Sequence, residues 1–441
     1  MGNRVTALPG DKLNHLQRKI LFTLGFLGLY RIGVHVPVPG VDANRLSEFF
    51  QSQGANLLGM FNMFSGGALE RFSIFALGVM PYISASIIAQ LLTVVVPHLE
   101  ALSKEGEAGR KKITQYTRYG TIILAVIQGF MIAKTLASAQ FAGGSLVSDA
   151  GPAWLAMTAL SLTAGTAFVM WLGERITDKG VGNGISLIIF CGIVAGLPSV
   201  ITNTYTKFNN AEMEMATILL LIAVVVVVTA GVVFMEQGAR QVPIQYAKRQ
   251  VGNKVYGGQT SHLPMRVNTA GVIPPIFASS LLQMPVTVAG LSGDGPVANF
   301  INTVFIPGGW LYNVVYLSMI IFFAYFYTSI QFKPDDIAEN LKKHGGFIPG
   351  IRPGARTSDY LSKVISRLTL TGSIYLAVIC LVPSIVTERF NVQFYFGGTS
   401  LLIIVGVALE TFRQIDAHRQ SLRYESFMKK GSIRPRRQGR G

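Results

Sequence analysis

Long apolar stretches alternate with polar, basic segments along the whole chain. Ten can be delimited: Ile20–Val36, Phe72–Val96, Tyr119–Leu136, Ala153–Leu172, Ile185–Ile201, Ala216–Met235, Ala270–Leu291, Gly309–Phe332, Leu368–Val386 and Thr399–Phe412. A bilayer core of about 30 Å needs roughly 20 apolar residues in a helix, so each stretch predicts a membrane-spanning helix. An even number of spans puts both termini on one side. One stretch departs from the pattern. Leu57–Phe64 is amphipathic and too short to cross, and it is followed by a break at Ser65–Gly67, the charged pair Glu70 and Arg71, and then the second apolar run. Such a piece either lies at the membrane interface or enters part way and returns. Half-inserted backbone is tolerated only where protein or trapped water satisfies its polar groups, which points to a cavity.

The basic residues orient the chain. Of the 38 lysines and arginines, 32 lie on the side of the termini: before Ile20, in 97–118, 173–184, 236–268 and 333–367, and after Phe412. Four lie opposite (Arg45, Arg71, Lys207 and Arg389), and Arg31 and Lys134 fall inside apolar runs. Lysine and arginine accumulate in cytoplasmic loops, so both termini are predicted to be cytoplasmic. This bias accounts for most of the +16 net charge without invoking nucleic acid.

Composition agrees. Half the residues are hydrophobic and 14% are charged, against about 25% charged in soluble domains. The polar N-terminus, with no small-residue cleavage site after the first apolar run, is read as carrying no cleavable signal peptide. Cys191 and Cys380 sit in apolar runs and predict neither a disulfide framework nor a metal site.

Catalytic and coupling chemistry is missing from the pattern. His15, His35, His98, His262, His344 and His418 are scattered at span ends and in loops, with no HExxH pair, P-loop or GxSxG elbow. Ionisable residues deep in spans mark proton and ion pathways, and here they are few. Arg31 and Lys134 lie near the outer ends of their runs, where they are expected to snorkel to the interface, and Glu410 lies near the inner end of the tenth. A gated pore driven by a partner fits better than an ion-coupled transporter or an enzyme, and no cofactor is expected.

Several motifs carry a family resemblance. MFNMFSGGALERFSIFALGVMPYISASII (Met60–Ile88) resembles the second transmembrane segment of bacterial SecY, the large subunit of the protein-conducting channel. The likeness recurs in EGEAGRKKITQYTRYGT (Glu105–Thr121), MWLGERITDKGVGNGISLIIF (Met170–Phe190) and YAKRQ (Tyr246–Gln250). It continues in TSHLPMRVNTAGVIPPIFASS (Thr260–Ser280), GGFIPGIRPG (Gly345–Gly354) and FYFGGTSLLI (Phe394–Ile403), covering most of the chain in the family's order. The resemblance implies an all-α polytopic membrane protein with ten transmembrane helices, in two inverted five-helix halves around a central pore. The halves would be 1–205 and 206–441, hinged near 203–214.

Carried onto the matching motifs, the family's aliphatic pore ring falls at Val79, Ile83, Ile185, Ile189, Ile276 and Ile403. A narrow apolar ring passes any side chain yet excludes ions by dewetting, and β-branched residues are stiff at χ1. Isoleucine is common in the family where Val79 stands, so a slightly wider ring is expected. The resemblance makes the short helix at 61–71 a plug, with Phe61, Asn62, Met63 and Phe64 followed by the break Ser65, Gly66 and Gly67. It also implies a lateral gate between spans two and seven. The small and polar residues there are Ser84, Ser86, Gln90, Asn268, Thr269, Ser279 and Ser280, which allow close helix approach.

Two basic loops, 236–268 and 333–367, are longer than a connection requires, and long loops in compact domains are usually functional. Arg240, Lys248, Arg249, Lys254, Arg352 and Arg356 are the docking candidates, for the SecA ATPase or the ribosome. Arg352 stands in a Pro- and Gly-fixed turn that presents one guanidinium fork to a carboxylate or phosphate. The family often has two adjacent basic residues where Asn253 and Lys254 stand. The tail 413–441 is strongly basic and suited to anionic phospholipid or RNA. Further implied partners are SecE, SecG, preproteins bearing signal sequences and nascent membrane proteins. The place would be the inner (cytoplasmic) membrane. A secondary transporter with inverted repeats and a membrane scaffold for ribosomes remain the rival classes.

Overall fold

Among the described residues, ten helices lie over the ten apolar runs. The computed structural model describes residues 9–41, 65–138, 151–211, 213–246, 260–291, 309–390 and 398–430, with 45–46, 48, 62, 140–141, 144–145, 147, 249–251, 254–256 and 296 between them. In chain order the helices are α1 (Pro9–Gly33), α2 (Met80–Val95), α3 (Pro97–Lys104), α4 (Glu107–Ser138), α5 (Pro152–Lys179) and α6 (Gly184–Asn209). They continue as α7 (Met215–Gln237), α8 (Ile273–Leu291), α9 (Trp310–Gln331), α10 (Pro334–Lys343), α11 (Ala355–Phe390) and α12 (Gly398–Lys430). Seven of these contain segments long and apolar enough to cross a membrane unaided: α4, α5, α6, α7, α9, α11 and α12. Helices α1, α2 and α8 cover the other three runs, and α2 turns by 98° at Val96 into α3. Helices α3 and α10 are short connectors.

Local chemistry sets the helix starts. Proline stands in the first turn of α2, α3, α5 and α10, where its missing N–H costs nothing and its fixed φ suits a helix. Asn183 caps α6 by accepting from the backbone N–H groups of Ile185 at 3.1 Å and Ser186 at 3.4 Å. The α6–α7 connection is shorter than the expected 203–214, because α6 runs to Asn209 and α7 starts at Met215.

Glycine notches let the spans approach closely, as small residues do in membranes. A Cβ on Gly184 would lie 1.9 Å from the Gly173 carbonyl oxygen, locking α6 to α5, and one on Gly398 would lie 2.0 Å from that of Ile379, locking α12 to α11. On Gly165 it would meet the Ile74 carbonyl oxygen at 1.8 Å. Overpacking a dense site costs about 1–3 kcal/mol. Gly165→Ala is therefore expected to lower the thermal midpoint of the purified protein by several degrees. Gly196→Ala, which meets nothing within 4 Å, leaves it unchanged.

The first five spans pack together through α2–α4, α4–α5, α5–α6 and α1–α5, and the second five through α8–α9, α9–α11, α11–α12 and α7–α12. The two sets touch through α2–α8, α4–α8 and α6–α12. Five being odd, they enter the membrane in opposite senses. One hydrophobic cluster draws on both sets, from Tyr30 and Ile188 to Phe323 and Leu402.

The chain is mostly helical, as expected, with short strands in its loops. The loop 236–268 folds into β3 (Ala239–Tyr246), β4 (Arg249–Val251), β5 (Lys254–Tyr256) and β6 (Thr260–Arg266). Strand β3 pairs antiparallel with β6 and also with β7 (Gly346–Phe347) from the second loop, giving the order β6-β3-β7. The two long loops are thus one body with its own small core, Val242, Met265, Ile348, Leu361, Val364 and Ile365. On the opposite face lies a two-stranded ribbon, β1 (Gln140–Phe141) and β2 (Gly144–Ser145).

One expectation is corrected, at 61–79. Residues 61, 63 and 64 lie outside the described residues. From Ser65 to Val79 the chain is a succession of turns, not the end of a plug helix followed by the first turns of a span. Positive φ at Gly66 (69°), Gly67 (83°), Phe72 (44°) and Gly78 (54°) breaks any helix there. Phe72 is a bulky residue in a strained conformation, a cost of about 1–3 kcal/mol. Burial against Trp154, at a ring-centroid distance of 6.5 Å, offsets it.

Candidate functional site at the centre of the bundle

The segment 65–79 is a wedge held from several sides. Its middle forms a short antiparallel bridge with the chain leaving α1: the Val38 N–H donates to the Phe72 carbonyl at 2.8 Å and the Ile74 N–H to that of Val36 at 3.0 Å. Phe75 lies over Gly33 of α1, stacks on Tyr30 at 5.9 Å and on Phe168 of α5 at 5.9 Å. Trp154 closes the outer end, its Nε1–H donating to the Pro39 carbonyl at 3.0 Å.

The break that precedes the wedge is tied down by its backbone. The Tyr30 hydroxyl donates to the Ser65 carbonyl at 2.9 Å, and an Arg31 Nη1–H donates to that of Gly66 at 3.0 Å. Asn62 and Glu70 hold each other across the turn: the Asn62 amide donates to the Glu70 carboxylate at 3.0 Å, and the Glu70 N–H donates back to Asn62 Oδ1 at 2.9 Å. Arg31 was expected at the lipid interface. Its guanidinium instead turns inward to this segment, a partner brought to it from 35 residues along the chain.

The six ring candidates share the cluster common to both halves. Val79, Ile83, Ile189 and Ile403 are buried at 2%, 7%, 3% and 1% exposure, and Ile185 and Ile276 pack against them partly buried. At these exposures the centre is shut. Ile185 opens α6 and lays its side chain over Gly173 of α5, so the six share one cluster without all facing its middle. Ser65–Gly67 sits beside the cluster through Tyr30 and α6.

The gate candidates fall on α2, on α8 and just before α8, and these two helices are in contact. Ser84, Ser279 and Ser280 are buried, and Ser86, Gln90 and Thr269 are half-buried. The hydroxyls bond within their own helices: the Gln90 amide donates to Ser86 at 3.4 Å and Ser279 to the Ile276 carbonyl at 2.9 Å. Ser280 Oγ is buried without a hydrogen-bond partner. Asn268 stands apart. Its amide donates to the Glu236 carboxylate at 2.5 Å and to the Gly271 carbonyl at 3.1 Å, while an Arg413 guanidinium N–H donates to the Glu236 carbonyl at 2.6 Å. Asn268 therefore ties the end of α7 to the approach to α8, and Arg413 ties α7 to α12, all inside the second half. Neither the wedge nor this knot was found from the pattern; Gly78 ahead of Pro81 was the available sign that α2 starts late.

Of the docking candidates, Arg240 on β3 and Arg352 and Arg356 beyond β7 are exposed on the shared loop body. Arg249 and Lys254 lie on β4 and β5, and Lys248 lies outside the described residues. Arg352 is at the tip of a fixed turn. The Ile351 N–H donates to the Ile348 carbonyl at 3.1 Å and the Thr357 hydroxyl to that of Arg352 at 3.0 Å. Gly350 and Gly354 take positive φ, and Ile348 and Ile351 anchor the turn in the small core.

Two opposed sets of spans, a shut aliphatic centre shared between them and a re-entrant wedge beside it define a polytopic membrane protein of the gated-channel class. The SecY family model matches residues 73–412. The chain is 50% identical over 425 residues to the protein translocase subunit SecY of Escherichia coli strain K12, covering 96% of each chain. It is 47% identical over 438 residues to that of Streptomyces lividans, covering 96% of this chain and 99% of the other. The chain belongs to the SecY family. Its fold resembles a solved protein-conducting channel, with a TM-score of 0.65, 15% identity and 94% of each chain covered. It also resembles a channel from a canine ribosome–channel complex, with a TM-score of 0.62, 15% identity and 94% of each chain covered.

Proposed function

We infer that the chain is the central subunit of a protein-conducting channel. It passes unfolded polypeptides across the bacterial inner membrane and releases transmembrane segments sideways into lipid. The observation that carries this reading is the shut aliphatic cluster built jointly by both halves of a SecY-family chain. A polypeptide path at a seam between two opposed bundles opens when they part, and an aliphatic lining grips no particular side chain and dewets when empty.

Val79, Ile83, Ile185, Ile189, Ile276 and Ile403 form the constriction in this reading, and 61–71 is the plug resting against it. The α2–α8 seam, with Ser84, Ser86, Gln90, Thr269, Ser279 and Ser280, is the lateral gate. Asn268, bonded into the second half, braces the base of α8. The halves are 1–205 and 206–441, and their hinge lies within 203–214, at the end of α6 and the short connection to α7. Both termini and the β6-β3-β7 body face the cytoplasm, where basic residues concentrate. Arg240, Lys248, Arg249, Lys254, Arg352 and Arg356 there receive the SecA ATPase or the ribosome, and the tail contacts anionic phospholipid. SecE and SecG complete the assembly. The chain is no enzyme; the energy comes from its partners.

The test is to place a photo-crosslinking residue at Ile83, at Ile403 and at Leu160, which is exposed on α5, and to arrest a polypeptide midway in transport. Adducts to the arrested chain form from Ile83 and Ile403 and not from Leu160. Failure of both central positions to crosslink contradicts the proposed path.

A further inference from the structure

Arg31 is a full charge in the last turn of a membrane-spanning helix, and nothing in the pore, gate or docking roles uses it. Its own helix end favours a cation there, and an interfacial head group would satisfy it equally. The structure gives it another task. Tyr30 and Arg31, adjacent on α1, donate to the adjacent carbonyls of Ser65 and Gly66 at 2.9 and 3.0 Å. Tyr30 is completely buried in the central cluster, so its grip is rigid, and the guanidinium contributes a charge-assisted bond, the stronger kind.

The gripped peptide is clamped from the far side too. A Cβ on Gly66 would lie 2.8 Å from Gly192 Cα on α6 and 3.2 Å from Arg31 Nη1. The Ser65–Gly66 peptide thus sits between α1 and α6 with no room for a side chain. Gly67, next in line, holds φ at 83° with open space where a side chain would stand, and its N–H donates to the Asn62 carbonyl at 2.8 Å, so it is the glycine about which 61–66 turns once the clamp and the local turn bonds let go.

We propose that Tyr30 and Arg31 form a latch on the plug hinge, and that the plug leaves the pore only after these two bonds break. Arg31 is then a positioning residue that sets how firmly the idle channel is shut. This rests on the plug role assigned to 61–71 above. A latch acting on the closed state alone shifts the closed–open balance by its differential stabilisation.

The experiment measures resting ion conductance of the channel, reconstituted with its small subunits in planar bilayers. The variants are Arg31→Met, Arg31→Lys and Tyr30→Phe, with and without deletion of 61–71. In the full-length chain, Arg31→Met raises resting conductance several-fold, Tyr30→Phe raises it less, and Arg31→Lys restores part of the seal. In the deleted chain, which already leaks, Arg31→Met adds nothing. Wild-type conductance in both Arg31→Met and Tyr30→Phe overturns the latch, and so does additional leak from Arg31→Met on the deletion. A deletion that does not leak overturns the plug role itself, and the latch with it. Tyr30→Phe removes a single oxygen and keeps the ring stacked on Phe75, so a leak from it does not reflect misfolding.

Discussion

Arg352→Glu is expected to reduce SecA-driven translocation by more than tenfold while leaving the assembled complex intact. The expectation follows from how the turn is built. Residues 348–354 are held from below by Ile348 and Ile351 in the loop core and from within by the Thr357 hydroxyl on the Arg352 carbonyl. Arg352, the one charged residue of the turn, is exposed to solvent. A pre-organised arginine loses little freedom on binding, and arginines dominate interface energetics, with single residues worth about 2 kcal/mol or more. That is roughly thirtyfold in affinity. Reversing the charge removes the fork and adds repulsion against the carboxylate or phosphate it would meet. Arg352→Lys keeps charge without the fork and is expected to fall between. Translocation by Arg352→Glu at the wild-type rate would move the motor contact to Arg240, Arg356 or the β4–β5 tip.

The second large effect concerns the seam. Cysteines replacing Ser86 on α2 and Ser279 on α8, joined by a short bifunctional thiol reagent in the idle channel, are expected to block insertion of transmembrane segments almost completely. Cleaving the link restores it. The closed seam is weak by construction: Ser86 and Ser279 bond inside their own helices, and buried Ser280 Oγ has no partner. An unsatisfied buried hydroxyl costs about 1–3 kcal/mol, so closure relies on packing that an incoming apolar helix can replace. A covalent bridge removes that competition. Full insertion by the linked form would place the exit elsewhere.

The architecture was largely legible, because the apolar runs are separated from one another by polar and charged segments. What escaped involved distant partners. Strand β3 shows inward positions only at Val242 and Ile244, too short an alternation to stand out in a polar loop, and its second neighbour, β7, lies about a hundred residues on. Phe72–Gly78 reads as helix by hydropathy. Its turn conformation is imposed by strands and glycines elsewhere, the bridge to Val36–Val38 and the notch at Gly165. Arg31 reads as an interface residue for the same reason, since the carbonyl it binds arrives only when the chain folds back. The ring positions came from motif resemblance; an isoleucine in a span carries no mark of which way it faces, and Ile185 shows how far a single position can turn.

The most direct test of the channel assignment is transport itself. The chain is reconstituted in liposomes with SecE and SecG, and SecA, ATP and a preprotein are supplied. The preprotein is expected to become resistant to external protease only when ATP is present, and detergent is expected to abolish the protection. Absence of ATP-dependent protection in the wild-type assembly, with ion or small-solute flux in its place, would contradict the channel assignment and favour a transporter.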